Sequence, residues 1–386
     1  MTLDIPEVRI DWRAKGFWLP DTAPTAAEFA AERHTLFDGS FTWPLLVVRE
    51  EAVRANIATM AAFCRRHGVA FAPHAKTPMA PALMRSQLEA GAWGLTVATA
   101  SQAVVLRRLG VPRVLIANEV LDPTALRWLA AQPGWEPYLQ VDSVAGVDRA
   151  AGLRLLVELG HPGGRTGCRT IDEVVTVARA AGDRLAGITG YEGGLGDEAA
   201  VDAWLQLLVE AAKTLSAEGL LGEHVIVSAG GSAWFDRVVQ AIEGQWLPGH
   251  RVQAVLRSGA SVTHDDGFYR EKTPFNRIPQ EGALAAALEL WGQVLSTPEP
   301  GLAIIGMGKR DAPFDEGLPM PFDEGLTVTK MNDHHTYVSV ADGAELAVGD
   351  LVRFGLSHPC TAFDKWRFIP VVNDADIVVD VLQTYF

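Results

Sequence analysis

Phe71-Ala72-Pro73-His74-Ala75-Lys76-Thr77-Pro78 follows a helical stretch at 53–66 and the short apolar run Val69-Ala70-Phe71-Ala72. Burying a lysine at the end of an apolar strand costs free energy unless the ammonium finds a partner or gives up its proton. The plain reading is a lysine that snorkels out of the strand end. Pro73 and Pro78, however, fix the backbone on both sides of Lys76, and His74 points to the same side of an extended chain. A lysine held rigidly in a partly apolar pocket has a depressed pKa and is a candidate Schiff-base nucleophile.

On either side of this stretch the chain alternates between apolar strand and amphipathic helix. The pattern begins at 45–48 and continues through strands at 94–98, 113–117, 138–141, 154–159, 185–189, 224–228 and 253–256. Helices at 51–67, 79–89, 100–109, 123–131, 171–181 and 198–218 separate them, with a shorter one near Ser143. Such alternation predicts parallel strands with crossover helices, and continuously apolar strands predict burial on both faces. With this many units a closed (β/α)8 barrel is favoured over an open sheet. From about residue 266 short β-type runs with glycines and prolines take over, predicting an antiparallel β-domain over 266–386. The barrel is assigned to 41–265, and residues 1–40 form an arm expected to pack on the rest through Trp12, Phe17 and Trp18, with a helix at 25–37. The segment 281–294 reads equally as helix or strand.

The net charge of −14 opposes binding to nucleic acid or to an anionic membrane. Cys64, Cys168 and Cys360 are too few and too scattered for a disulfide framework, which fits a reducing cytoplasm. No apolar run approaches the roughly 20 residues of a membrane span, and Asp4, Glu7 and Asp11 stand where an export leader is basic.

Pro73-His74-Ala75-Lys76-Thr77 resembles the pyridoxal-phosphate lysine motif of fold-type III enzymes, specifically the D-serine dehydratase and D-threonine aldolase group. The resemblance extends from about Trp43 to the C-terminus. It implies that Lys76 carries pyridoxal 5'-phosphate, with His74 beside it. It also implies roles for several loops after strands, where a barrel places its working residues. Arg165, in Arg165-Thr166-Gly167, is expected near the cofactor, keeping Lys76 neutral; a solvated arginine is the alternative. Tyr191 is expected against the cofactor ring, with a core tyrosine as the alternative.

Two glycine turns are the candidate phosphate site: Gly230-Gly231-Ser232 and Gly259-Ala260-Ser261. Successive backbone amides in such turns form an anion nest. Many members of the resembled family carry Gly-x-Tyr in the second turn, whereas here Ser261 is followed by Val262.

Ser357-His358-Pro359-Cys360-Thr361 is the second landmark. In an extended segment residues i and i+2 share a side, so His358 and Cys360 can grip one ion, and imidazole with thiolate favours zinc. An ordinary buried pair is the alternative on spacing alone. The pair is similar to the zinc site of D-serine dehydratases, whereas D-threonine aldolases resemble it with an aspartate in place of Cys360. His335 is expected as an acid–base or supporting group, and His264, Asp265, Lys309 and Arg310 as weaker candidates.

Together these readings point to a pyridoxal-phosphate- and zinc-dependent dehydratase that converts a D-3-hydroxy amino acid to a 2-oxo acid and ammonia. A metal-dependent D-threonine-type aldolase is the nearest rival, and a non-catalytic cofactor carrier is the rival from another class. The fold type also implies a homodimer in which the β-domain of one subunit completes the barrel site of the other.

Overall fold

The protein is described by a computed structural model covering residues 3–386. The arm carries α1 (Ala26–Ala31), which starts on a capping box between Thr25 and Glu28 and stops well short of residue 37. Then come β1 (Leu45–Arg49), α2 (Glu50–Arg66), β2 (Ala70–Phe71), α3 (Pro81–Glu89), β3 (Leu95–Val97), α4 (Ala100–Arg108), β4 (Arg113–Ile116) and α5 (Pro123–Ala130). They continue as β5 (Glu136–Val141), α6 (Val144–Arg149), β6 (Arg154–Leu159), α7 (Ile171–Ala181), β7 (Leu185–Gly190), α8 (Glu198–Ala217), β8 (His224–Ala229), α9 (Phe235–Ile242) and β9 (Arg251–Leu256).

Strands β2 to β9 form one parallel sheet in the order β2-β9-β8-β7-β6-β5-β4-β3. The amide of Ala75 donates to Thr96 O (2.7 Å) and that of Thr96 to Pro73 O (3.0 Å), joining the two edges into the expected barrel. Ala72, Leu115, Leu156, Ala186, Ile226 and Val255 form one apolar cluster fed by six of its strands or their ends, while the opposite strand faces pack under the helices. That two-sided burial explains the unbroken apolar runs. Thr99, Asp122, Ser143, Thr170 and Asp197 cap the helices that follow, each accepting a first-turn amide.

After α10 (Phe268–Lys272) the second sheet is built from β10 (Leu288–Glu299), β11 (Leu302–Ile305), β12 (Met320–Pro321), β13 (Leu326–Met331), β14 (Thr336–Val340), β15 (Leu351–Gly355), β16 (Phe368–Val372) and β17 (Val378–Gln383). The ambiguous segment 281–294 is therefore strand from Leu288 onward and irregular before it. Pairing in this sheet is antiparallel except between β1 and β16.

The first apolar strand does not belong to the barrel. β1 runs antiparallel to β10, Leu45 opposite Trp291, and parallel to β16, Val48 opposite Val371. Its two faces are buried in different cores. Leu46 and Val48 join the β-domain core, whereas Leu45 and Val47 pack with Ile10, Phe17, Phe29, Leu36 and Phe41 of the arm. A strand covered on both faces by a β-core and an arm reads the same as one inside a parallel barrel. In the arm Phe17 is the anchor; Trp12 (72%) and Trp18 (60%) are exposed.

Candidate active site

The short β2 ends at Phe71, so Lys76 stands in the tight turn beyond it rather than on extended chain. The Met79 amide closes that turn on Ala75 O at 2.8 Å. Lys76 is half-buried, and its pKa is lowered, first by burial; the Cys360 thiol opposes the shift, while Arg165 and Arg257 add to it. His74 is held well below its ordinary pKa by burial and by Lys76 and Arg257, and its Nδ1 is buried without a partner. Arg165 lies over the ring of Tyr191 at 4.8 Å, a cation–π contact on the rim of the mouth.

The two glycine turns face one another. A Cβ on Gly259 would come within 2.8 Å of the His74 Cβ, and one on Gly231 within 2.9 Å of the Tyr191 ring. Both turns therefore need the bare backbone. The nest is not free at every amide, because the Glu192 carboxylate, fully buried, accepts from Gly230 N and Gly231 N. What stays available are the amides of Ser232, Ala233 and Gly259, which have no acceptor among the described residues. The Ser232 hydroxyl oxygen accepts from the Ser258 hydroxyl (3.1 Å) and from Ala260 N (3.2 Å). Ser261 lines the same small space.

The metal candidates reach this mouth within one chain. Cys360 Sγ lies 3.2 Å from Thr77 Oγ1, the residue after Lys76. The pair does not converge by strand alternation as expected. Pro359 opens a single 3-10 turn, and His358 is swung in by a left-handed backbone (φ 91°, ψ 94°). A non-glycine residue there costs on the order of 1–3 kcal/mol and is held by its surroundings. His358 Nδ1 bonds Asp315 Oδ2 at 2.7 Å, and Thr361 Oγ1 donates to Asp315 Oδ1 at 2.8 Å. Burial alone would lower the His358 pKa, but Cys360 and Asp315 together push it up to about 9. The same two groups that hold a proton on the ring would favour a divalent cation shared by His358 and Cys360. Among the described residues no three His, Cys, Asp or Glu side chains close on one point. A two-ligand site of this kind leaves positions open for substrate or water.

Some predicted residues lie elsewhere. His335 is exposed in the turn between β13 and β14. Arg310 pairs with Asp333 at 3.6 Å, and Lys309 lies over the Phe314 ring at 5.1 Å. His264 is buried and helps turn the chain (φ 50°), and Asp265 accepts the amides of Gly267 and Tyr269, both at 2.9 Å. The sequence reading passed over Arg257, Glu192, Thr77, Asp315 and Tyr269. Arg257 was legible as a cation ending an apolar strand: it is buried, donates to Gly190 O, and keeps an unpartnered Nε. Asp315 and Tyr269 gave no local signal.

A half-buried lysine, unsatisfied donors between two glycine turns and a histidine–cysteine pair thus meet at the mouth of an alanine racemase-like barrel. Residues 48–245 match the family described as alanine racemase, N-terminal domain, and residues 287–372 match the putative serine dehydratase domain. The chain belongs to this family of fold-type III pyridoxal-phosphate enzymes. It is similar to D-threonine aldolase from Arthrobacter sp., 28% identical over 88% of this chain and 91% of that one. The structure resembles D-threonine aldolase from Filomicrobium marinum, with a TM-score of 0.77, 25% identity, and coverage of 89% of this chain and 95% of that one. The fold is also that of D-threo-3-hydroxyaspartate dehydratase from Delftia sp. HT23, with a TM-score of 0.71, 23% identity, and coverage of 89% and 97%. A cysteine-to-alanine mutant of D-threo-3-hydroxyaspartate dehydratase has also been solved in a metal-free form.

Proposed function

We propose that this protein is a pyridoxal 5'-phosphate- and zinc-dependent dehydratase that converts a D-3-hydroxy amino acid such as D-serine or D-threonine to a 2-oxo acid and ammonia. The observation that carries the reading is the 3.2 Å contact between Thr77 and Cys360, which sets the metal pair against the lysine motif in a single chain. The residues fit both groups: the glycine turns are shaped for an anion, buried Arg257 Nε is a donor without a partner, and Cys360 with His358 is a borderline-soft donor set.

Lys76 would hold the cofactor, which when bound supplies an electron sink for negative charge at the substrate Cα. His358 Nε2 and Cys360 would hold zinc, which supplies a Lewis acid for the β-hydroxyl. The chain's own groups do the rest. Burial and the neighbouring arginines favour the neutral Lys76 amine, which can then take the Cα proton. Asp315 fixes the His358 ring by its Nδ1. Thr77 Oγ1 lies beside Cys360 Sγ at 3.2 Å and would donate to that sulfur once it holds zinc.

Retro-aldol cleavage to glycine and an aldehyde is the second reading, favoured by the 28% identity to a D-threonine aldolase. Cys360, where the aldolases of the resembled group put aspartate, favours dehydration. Trapping with borohydride tests the cofactor assignment: reduction should bleach the visible band and fix one pyridoxyl group on Lys76, found by peptide mass spectrometry. A label on any other lysine sinks it.

The trans arrangement of the metal pair is not needed, since Cys360 meets Thr77, the residue after Lys76, in its own chain. A homodimer is still proposed. His335, Lys309 and Arg310 make no hydrogen bond or ion pair to a barrel residue in their own chain, and a second copy would offer them a mouth. Three free cysteines, Cys360 half-exposed among them, suit a reducing cytoplasm. No helix among the described residues is long and apolar enough to cross a membrane.

A further inference from the structure

A cavity of about 140 Å³ lies outside the barrel mouth, between α2, α3 and β2. Met60, Phe71 and Val262 supply its apolar walls, and the short side chains of Ala61, Ala70 and Ala90 leave it open. Its inner end backs onto the second glycine turn at Ser261, which is 4% exposed and whose hydroxyl has no hydrogen-bond partner among the described residues. Water fills such a space poorly. About four waters would fit at roughly 30 Å³ each, and each needs two to four polar partners. The Asn56 amide is already taken by Val262 O, Ala285 O and Ala285 N, and Gln87 gives its amide nitrogen to Leu83 O. Partners for water inside therefore reduce chiefly to Ser261 and the Gln87 oxygen.

The outer rim carries a charge. Arg65 lines the opening, is exposed, and has no acceptor among the described residues. Its neighbours are paired, Arg66 with Glu281 at 2.6 Å and His67 with Glu243 at 2.8 Å. Burial pushes the Cys64 thiol on the wall up to about 12, with Arg65 as the charge acting against that shift. The thiol therefore stays neutral and part of the apolar lining. An apolar void bounded inside by a hydroxyl and outside by an unpaired guanidinium fits a ligand with a short hydrocarbon body and one carboxylate. An engineered apolar cavity of about 150 Å³ in another protein binds benzene, which sets the body at about six heavy atoms.

We propose that this cavity is a ligand site, separate from the barrel mouth, for a small carboxylic acid with a short branched hydrocarbon chain. The carboxylate sits on Arg65 and the chain packs against Met60, Phe71 and Val262. The inference does not depend on the cofactor or the metal reading.

The test titrates 3-methylbutanoate and the uncharged 3-methylbutanamide into the full chain, followed by saturation-transfer NMR and calorimetry. The acid should bind saturably and more tightly than the amide. Arg65→Gln should weaken the acid about fivefold, the scale of an exposed ion pair, and remove its advantage over the amide. Ala61→Leu, which fills the void, should abolish binding of both. No saturable binding of the acid, or equal affinity in Arg65→Gln, would overturn the proposal. So would undiminished binding in Ala61→Leu, which would place the acid elsewhere on the molecule. Should Ala61→Leu fail to fold, Arg65→Gln still decides, because Arg65 is exposed and its loss leaves the core untouched.

Discussion

The barrel mouth and the loop-rich edge of the β-domain contribute to one site by opposite means. On the barrel side Lys76, Arg257 and the glycine turns stand directly after strands β2, β8 and β9, so local chain geometry sets their positions. On the β-domain side, by contrast, His358 sits on a positive-φ backbone and is oriented by Asp315, 43 residues away in sequence. Cys360 meets Thr77 across a separation of 283 residues. The first half is built to hold a group rigidly, and the second half depends on long-range contacts that one substitution can loosen. Variants should divide accordingly, those on the barrel side losing cofactor and those on the β-domain side losing metal.

Lys76→Ala should produce the largest effect. It removes the only proposed attachment point and the proton acceptor together, so both the visible band and turnover should disappear, with kcat falling by about a thousandfold or more. A variant that keeps a borohydride-sensitive band would break the division on the barrel side. Cys360→Ala comes next, and it should lose zinc, by metal analysis, and lose elimination while keeping the cofactor band. Cys360→Asp should shift preference towards harder ions such as manganese and raise the share of glycine and aldehyde among the products. Release of the cofactor with the metal would show that the two halves are not separable.

Asp315→Asn should have a smaller and more selective effect. It keeps the size of the side chain but weakens its hold on His358 Nδ1, and zinc affinity should fall by about 10- to 100-fold with cofactor affinity unchanged. An unchanged zinc affinity would reduce Asp315 to a surface ion pair.

How much of this was legible beforehand follows from how far apart the cooperating residues lie. The parallel barrel was readable because each strand–loop–helix unit carries its own signal, down to the capping side chains Thr99, Ser143 and Thr170. The placement of Lys76 and of the glycine turns just beyond strand ends was readable for the same reason. β1 was misplaced because Leu45, Leu46, Val47 and Val48 are all buried, and burial by the arm plus a β-core leaves the same apolar run as burial in a barrel. The capture of Gly230 and Gly231 by Glu192 was hidden, because it joins segments that only tertiary folding brings together.

The smallest expected effect lies on the barrel side, in the loop after β4. Glu119 is pushed up to about 9 from 4.5, first by burial and then by Asp142 and Glu158. The folded chain thus binds this proton more tightly than the unfolded chain. The stability it contributes is complete below about pH 4.5 and is lost as pH rises towards 9. Glu119→Gln, which cannot ionise, should match wild type near the lower limit and melt on the order of a few degrees higher near the upper one. Parallel melting curves across that range would contradict the shift.

The central claim is that one chain joins a cofactor lysine to a metal pair for the removal of a β-hydroxyl. It is tested most directly by product analysis of the zinc-loaded and the metal-stripped holoenzyme with D-serine and D-threonine. The account predicts ammonia and the matching 2-oxo acid from the zinc-loaded enzyme and neither from the stripped enzyme, with the cofactor band present in both. Full-rate elimination without metal, or glycine and aldehyde as the only products, would contradict it.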